Sequence, residues 1–313
     1  MRRPALLLAV LLPGLLAGCE TSVEVETPPF EPRLVLYSFP SPDSVWSATL
    51  SETIPFGRFP SVPEWGPEAT VVVRDGAAVV DTLDYAAVQT DGAFGRNGAV
   101  YVSRNRRTPE VGRTYTVEAS VPGFESVAGT DTVPLRPAAS LNAAERTPGA
   151  PGRGAWTVRT ALADPPGPDT YELALLGQAT FPDFTTPRFL ESYRSRAPSL
   201  RASYGLLDVD VSIEDERFFY QPAPFQDRLF DGRRHAITIE TRVPIDETAD
   251  YAYWVAVARV TDAYRRYHAS VYRQAQNRDN PFAEPSPLYS NVEGGHGVVA
   301  GYATTLVALP PLD

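Results

Sequence analysis

From Arg33 to Val133 the chain alternates apolar and polar residues over short stretches, and each stretch is cut by a turn signal. Alternation with period two places successive side chains on opposite faces of a strand, and repeated turns at close spacing are the pattern of an all-β sandwich. Leu34, Leu36 and Ser38 alternate with Val35 and Tyr37, and Val45 to Leu50 follows a proline-containing turn. Ala69 to Val73 and Ala77 to Thr82 flank Asp75-Gly76, a pair that adopts positive φ cheaply and so predicts a hairpin. Tyr115, Val117 and Ala119 lead to Pro122-Gly123, after which Phe124 to Val133 returns. Pro134 and Pro137 stiffen the exit, so the first domain is expected over residues 33–135, as an immunoglobulin-like sandwich.

Residues 136–313 predict a second β-rich domain. Strands are expected at Trp156 to Leu162 and Tyr171 to Leu176, separated by the breaker Ala163-Asp164-Pro165-Pro166-Gly167-Pro168. Leu206 to Ile213 and His235 to Val243 alternate in the same way, and Val298 to Leu309, rich in β-branched residues, reads as a central closing strand. Tyr253, Val257, Val260, Tyr264, Tyr267 and Val271 recur at spacings of four and three, which predicts one long amphipathic helix over 247–276, capped by Asp246. The expected fold is therefore mainly β: two β-sandwich-like domains, the second carrying one long helix.

Ahead of both lies a secretory segment. Arg2 and Arg3 precede an apolar run from Ala5 to Leu16, closed by Leu16-Ala17-Gly18-Cys19. Small residues followed at once by cysteine are the lipobox arrangement, so residues 1–18 are expected to leave as a signal peptide and Cys19 to be acylated, for instance with palmitate. Cys19 is the chain's one cysteine, and lipidation avoids an exposed free thiol in an oxidising compartment. Residues 19–32, acidic and then proline-rich, read as a tether. Neither face of the membrane is favoured by Glu20, Glu24 and Glu26.

All 28 basic residues are arginine, and against 38 acidic residues they leave a net charge of -10. Nucleic acid is not an expected partner, because binding it requires basic clusters that displace counterions.

No nucleophile elbow, zinc-protease helix or phosphate loop occurs, so no catalytic residue, metal or cofactor is expected. A His-based metal site would need His235, His268 and His296 to converge from a strand, a helix and a turn. The run Asp208, Asp210, Glu214, Asp215, Glu216 lacks the glycine turn of a compact calcium loop and reads as a solvated strand face. Two loops rich in aromatics and arginine are the candidate partner or ligand surface: Phe181, Phe184, Phe189, Tyr193, Arg194, Arg196 and Tyr204 in one, and Phe218, Phe219, Tyr220, Phe225 and Phe230 in the other. Rigid aromatic and arginine side chains bury much area for little lost entropy. The alternative is that the loops fold back as a satellite core.

Three stretches carry a resemblance. Asn280 to Tyr302, NPFAEPSPLYSNVEGGHGVVAGY, follows the tyrosine-rich helix, and Pro224 to Glu240 holds the form Phe-x-Asp-x-x-Phe-Asp-Gly. With the anchor, and with Ala69-Thr-Val-Val-Val-Arg-Asp-Gly and Gly112-Arg-Thr-Tyr-Thr-Val in the first half, the chain resembles the bacterial lipoprotein family catalogued as domain of unknown function 4249. His296 departs from that pattern, which usually holds an apolar residue there. The resemblance implies a lipoprotein anchored at the cell outer membrane as an accessory or binding partner of a TonB-dependent transporter. It brings no defined enzyme chemistry. A hydrolase of surface glycan or peptide and a structural or adhesive envelope protein are the alternatives from other classes.

Overall fold

The structure, a computed structural model, describes residues 30–55, 63–91, 96–148, 153–191, 224–244, 249–277 and 286–311. The lipobox, the tether up to residue 29 and the predicted strand Leu206 to Ile213 lie outside the described residues. Residues 32–313 form one compact unit. The fold is mainly β, with one α-helix among the described residues.

The first sheet is built from β1 (Leu34–Ser38), β2 (Ser47–Glu52), β3 (Thr70–Asp75), β4 (Ala78–Asp91), β5 (Arg96–Ser103), β6 (Thr114–Ser120) and β7 (Val127–Thr132). The Asp75-Gly76 hairpin forms as expected: Asp75 faces Ala78 across β3 and β4, and Gly76 takes φ 58. Inward residues of the alternation, among them Leu36, Leu50, Val71, Val73, Tyr101 and Val117, are wholly buried in one core. Each aliphatic side chain so buried contributes roughly 1.5–3 kcal/mol.

Two further strands of this sheet come from the far end of the chain. β15 (Val292–Glu293) pairs with β7, and β16 (His296–Val299) pairs with β1 in the sheet's one parallel pairing. The nine-stranded order is β15-β7-β6-β3-β4-β5-β2-β1-β16, so its two ends are strands separated in sequence by only Gly294 and Gly295. The sheet therefore rolls until its edges meet, with the glycine link threaded between them. A side chain at Gly295 would strike the Leu34 carbonyl, and one at Gly297, whose φ is 116, the Leu36 carbonyl. Residues 33–135 thus do not complete their own sheet, which corrects the expected division at 135/136. Alternation reports that a strand exists, but it does not report which edge the strand will join.

The second half packs a three-stranded sheet on a five-stranded one. The smaller has the order β13 (Arg234–Pro244), β9 (Arg153–Ala163), β8 (Ala138–Pro148). The larger runs β11 (Phe189–Glu191), β10 (Thr170–Thr180), β14 (Asp250–Val260), β17 (Tyr302–Ala308), with β12 (Phe225–Gln226) also on β10. Val158, Leu162, Ile237 and Ile239 from one face meet Tyr171, Leu175, Val255 and Val257 from the other in a shared core.

Two expectations fail here. The long helix is confined to α1 (Asp262–Asn277), and residues 250–260 are strand β14, hydrogen-bonded on both sides to β10 and β17. Tyr253 and Val257 fit a helical stripe and also a period of two; Val255 decides, since on a helix it would face the polar side, whereas on a strand it joins them in the core. β14 is buried on both faces over much of its length, which blurs its alternation. The helix is capped by Thr261 rather than Asp246: Thr261 Oγ1 accepts a hydrogen bond from Tyr264 N at 3.3 Å. The predicted strand Val298 to Leu309 is also divided. Residues up to Val299 close the first sheet, Ala300 N still donates to Ser38 O at 3.0 Å, and from Tyr302 the chain becomes the edge strand β17 of the second sandwich.

Candidate functional site

The outer face of the five-stranded sheet, turned away from its core, carries Glu172, Ala174 and Leu176 from β10, Ala256 and Ala258 from β14, and Tyr302 and Thr304 from β17. The register aligns them in rows: Glu172 beside Ala258 beside Thr304, then Ala174 beside Ala256. Three alanines keep this floor low. Walls are supplied by Leu190 on one side and, on the other, by Phe39 just after β1 and by Tyr264, Tyr267 and His268 of α1. These residues line a cavity of about 510 Å³, within the range usual for small-molecule sites.

The site depends on both sandwiches. Phe39 leaves the first sheet beside α1, where its ring lies 6.0 Å from Tyr264 and 5.9 Å from each of Tyr267 and His268. Tyr264 is 4.3 Å from His268 and 5.9 Å from Tyr302. The helix is held over the sheet by this ring cluster and by Val260, Ala263, Val298 and Ala300.

Glu172 is the chemically distinctive group. As a residue it is partly exposed, yet its Oε2 is closed off from solvent and has no hydrogen-bond partner. Burial pushes the carboxyl up to about 7, against a hydrogen bond from the Tyr264 phenol that favours the ionised form. Burial likewise raises the phenol of Tyr302, which hydrogen-bonds to Ser41 and Ser44. Apart from His268, no described lining residue is basic.

A second polar cluster lies where the breaker loop after β9 meets the turn after β12. Asp164, Asp227 and Asp231 bring carboxylate oxygens within 4.8 Å of one another, a spacing a metal ion could bridge. Their hydrogen bonds give another account. Asp164 accepts from Tyr171 Oη at 2.5 Å and from Gly232 N at 2.7 Å, Asp227 accepts from Asp169 N at 2.7 Å, and Asp231 from Gly167 N at 2.8 Å. Asp169 pairs with Arg259 at 3.0 Å. Burial raises both Asp169 and Asp227, with neighbouring carboxylates adding to the effect and Arg259 opposing it at Asp169. Each aspartate thus fastens one loop to the other, so the Phe-x-Asp-x-x-Phe-Asp-Gly stretch acts as a structural lock.

Of the predicted aromatic surface, Phe181, Phe184, Phe189, Phe225 and Phe230 lie among the described residues. Phe225 is 1 % exposed and sits in the second core with Phe230, stacked among Tyr171 and His235, which removes both from any surface. β12 pairs with β10 there, so Phe225 and Phe230 belong to the core. Phe189 lies over Gly177, where a Cβ would come within 2.6 Å of its ring. Phe181 and Phe184 stack at 4.8 Å, and Phe184 is exposed. Tyr193, Arg194, Arg196, Tyr204, Phe218, Phe219 and Tyr220 lie outside the described residues, as do Cys19 and the acidic run from Asp208. The histidines are dispersed: His235 stacks on Phe230, His268 lines the cavity and His296 is exposed on β16. Sequence reasoning missed Glu172, Phe39, Tyr302 and the alanine floor. The signal available was the outer face of β10 and β14, too apolar at Ala174, Leu176, Ala256 and Ala258 for a face left in water.

No family model matches the chain, and no curated protein matches it. Among solved structures, the yeast delta-COP-I mu-homology domain is similar at 8% identity over 90% of this chain and 100% of that one, with a TM-score of 0.19. The same domain complexed with a Dsl1 WxWxV peptide gives 7% identity over 88% and 94%, also with a TM-score of 0.19.

Proposed function

We propose that this chain is a ligand-binding lipoprotein of the cell outer membrane, anchored through Cys19 and serving as an accessory to a TonB-dependent transporter. The observation that carries the binding half is the cavity between helix and sheet, apolar and aromatic apart from a few polar groups, with one carboxylate in its lining. That composition suits holding a small molecule. Glycoside hydrolysis needs a pair of carboxylates flanking the scissile bond, and among the described residues the lining supplies Glu172 alone. Membrane attachment is supported by Leu16-Ala17-Gly18-Cys19, and the transporter as partner by the resemblance of Asn280 to Tyr302 and Pro224 to Glu240 to the lipoprotein family.

Fractionation and co-purification test this reading together. Cys19→Ser is expected to move the protein from the membrane to the soluble fraction without lowering its Tm, and a transporter is expected to accompany the lipidated protein from solubilised envelope. Persistence of the Cys19→Ser protein in salt-washed membranes would overturn the anchor. Recovery of the lipidated protein without a transporter would overturn the partnership.

A further inference from the structure

We propose that the cavity recognises an organic cation, a protonated amine or guanidinium on an apolar body, with Glu172 as its counter-ion. The inference rests on the reading of the cavity as a ligand site, but not on the anchor or the transporter.

Three observations converge on that chemistry. Glu172 brings into the lining a carboxylate whose Oε2 lacks a hydrogen-bond donor. A buried acceptor left unpaired is costly, so a ligand that donates N–H to it is favoured over one that cannot. Tyr264 hydrogen-bonds to the carboxyl group and Oε2 has no partner, so Oε2 is the acceptor left for a ligand. Apart from His268, the described lining offers no basic side chain, so a ligand bringing positive charge favours the ionised form of Glu172 and is neutralised by it, whereas an anion disfavours that form.

The walls fit the same class. Phe39, Tyr264, Tyr267 and Tyr302 present aromatic rings in one cluster, and ring faces attract cations through their quadrupole. Ala174, Ala256, Leu176 and Leu190 supply the surface for an apolar body. A sugar would require many converging hydrogen-bond groups, and outside Glu172, Thr304, His268 and the phenols the described lining has none.

The test is calorimetric titration of the Cys19→Ser chain, otherwise complete, with a panel of arylalkyl and alkyl amines and guanidines, each matched to its alcohol and its carboxylate. Tryptamine, tryptophol and indole-3-propionate form one such set. Members of the amine series are expected to bind at least about tenfold more tightly than their alcohols, and the acids not measurably. Glu172→Gln should reduce each amine to the level of its alcohol. Ala256→Trp, which raises the floor, should abolish binding of both; if that variant does not fold, Ala174→Val serves the same end. Alcohols or acids binding as tightly as amines, or a preference for amines surviving Glu172→Gln, would overturn the cation assignment and leave the cavity a ligand site. Absence of binding across the whole panel at millimolar concentration would overturn both.

Discussion

Asn291 is hydrogen-bonded to Val299 through both atoms of its amide: Nδ2 donates to Val299 O at 2.8 Å, and Oδ1 accepts from Val299 N at 2.9 Å. The side chain behaves as a short piece of neighbouring strand. Nδ2 also lies 3.3 Å from Thr130 O, so one residue ties β16 toward β7 across the seam of the rolled sheet. Asn291→Ala leaves the Val299 backbone groups unpaired, which costs about 1–3 kcal/mol for a partly buried pair. A fall in denaturation midpoint without change in slope is expected; Asn291→Asp, which keeps one acceptor, should fall less.

Gly297 and Gly76 both have positive φ, yet they should respond differently to alanine. At Gly76, φ 58, an added Cβ meets nothing within 4 Å, so the expected cost is the backbone penalty alone, about 1 kcal/mol. At Gly297, φ 116, the Cβ strikes the carbonyl, carbon and nitrogen of Leu36, and relief requires parting β16 from β1. Gly297→Ala is expected to cost several times more than Gly76→Ala in equilibrium unfolding. Equal losses would mean that the seam is not closed as described.

Glu172 makes stability depend on pH. Its carboxyl is raised from 4.5 to about 7 in the folded chain. Between those values the folded state keeps a proton that the unfolded state has released, so this group's contribution falls as pH rises through that window and is constant above it. Glu172→Gln removes the slope. The variant is expected to match wild type near pH 4 and to exceed it by a few kcal/mol at pH 8. Thermal melts from pH 4 to 8 measure both curves; parallel curves would count against a buried neutral acid.

Asp164 sits at the centre of the aspartate lock. Asp164→Ala deprives Gly232 N of its acceptor and Tyr171 Oη of its shorter one, leaving the phenol a contact of 3.4 Å to Asp169 Oδ2, and a loss of about 2–4 kcal/mol is expected. Because the carboxylates already receive donors from the opposing loop, millimolar calcium is expected to leave the wild-type Tm in place. A calcium-dependent rise in Tm that Asp164→Ala abolishes would show that the cluster holds an ion.

Local structure was legible where a local pattern decides it. Asp75-Gly76 specified a hairpin, and the alternation of Ile237, Ile239 and Thr241 gave the buried face of β13. Tyr253 to Val260 misled because a strand covered on both faces has no wet side to mark its period. Phe225 misled because an aromatic residue in a loop reads the same whether it meets a partner or returns to its own core. The cavity was invisible for a related reason: Ala174 and Ala256 are unremarkable apart, and only the pairing of β10 with β14 sets them side by side. Glu172, between Tyr171 and Leu173 in an alternating strand, carries no local mark of the helix that packs beside it.

The meeting of the first sheet's edges at Gly294 and Gly295 also bears on the order of events during synthesis. Strands β1 to β7 emerge early, but β1 and β7 lack their outer partners until residues 292–299 have been made. Thr304 N then donates to Asp43 Oδ2, 261 positions away. Contacts so distant in sequence slow folding, and an N-terminal segment waiting with open strand edges is prone to pair with other chains. A ribosome stalled before residue 292 would therefore release an aggregation-prone fragment, since residues 292–299 close the part of the molecule made first.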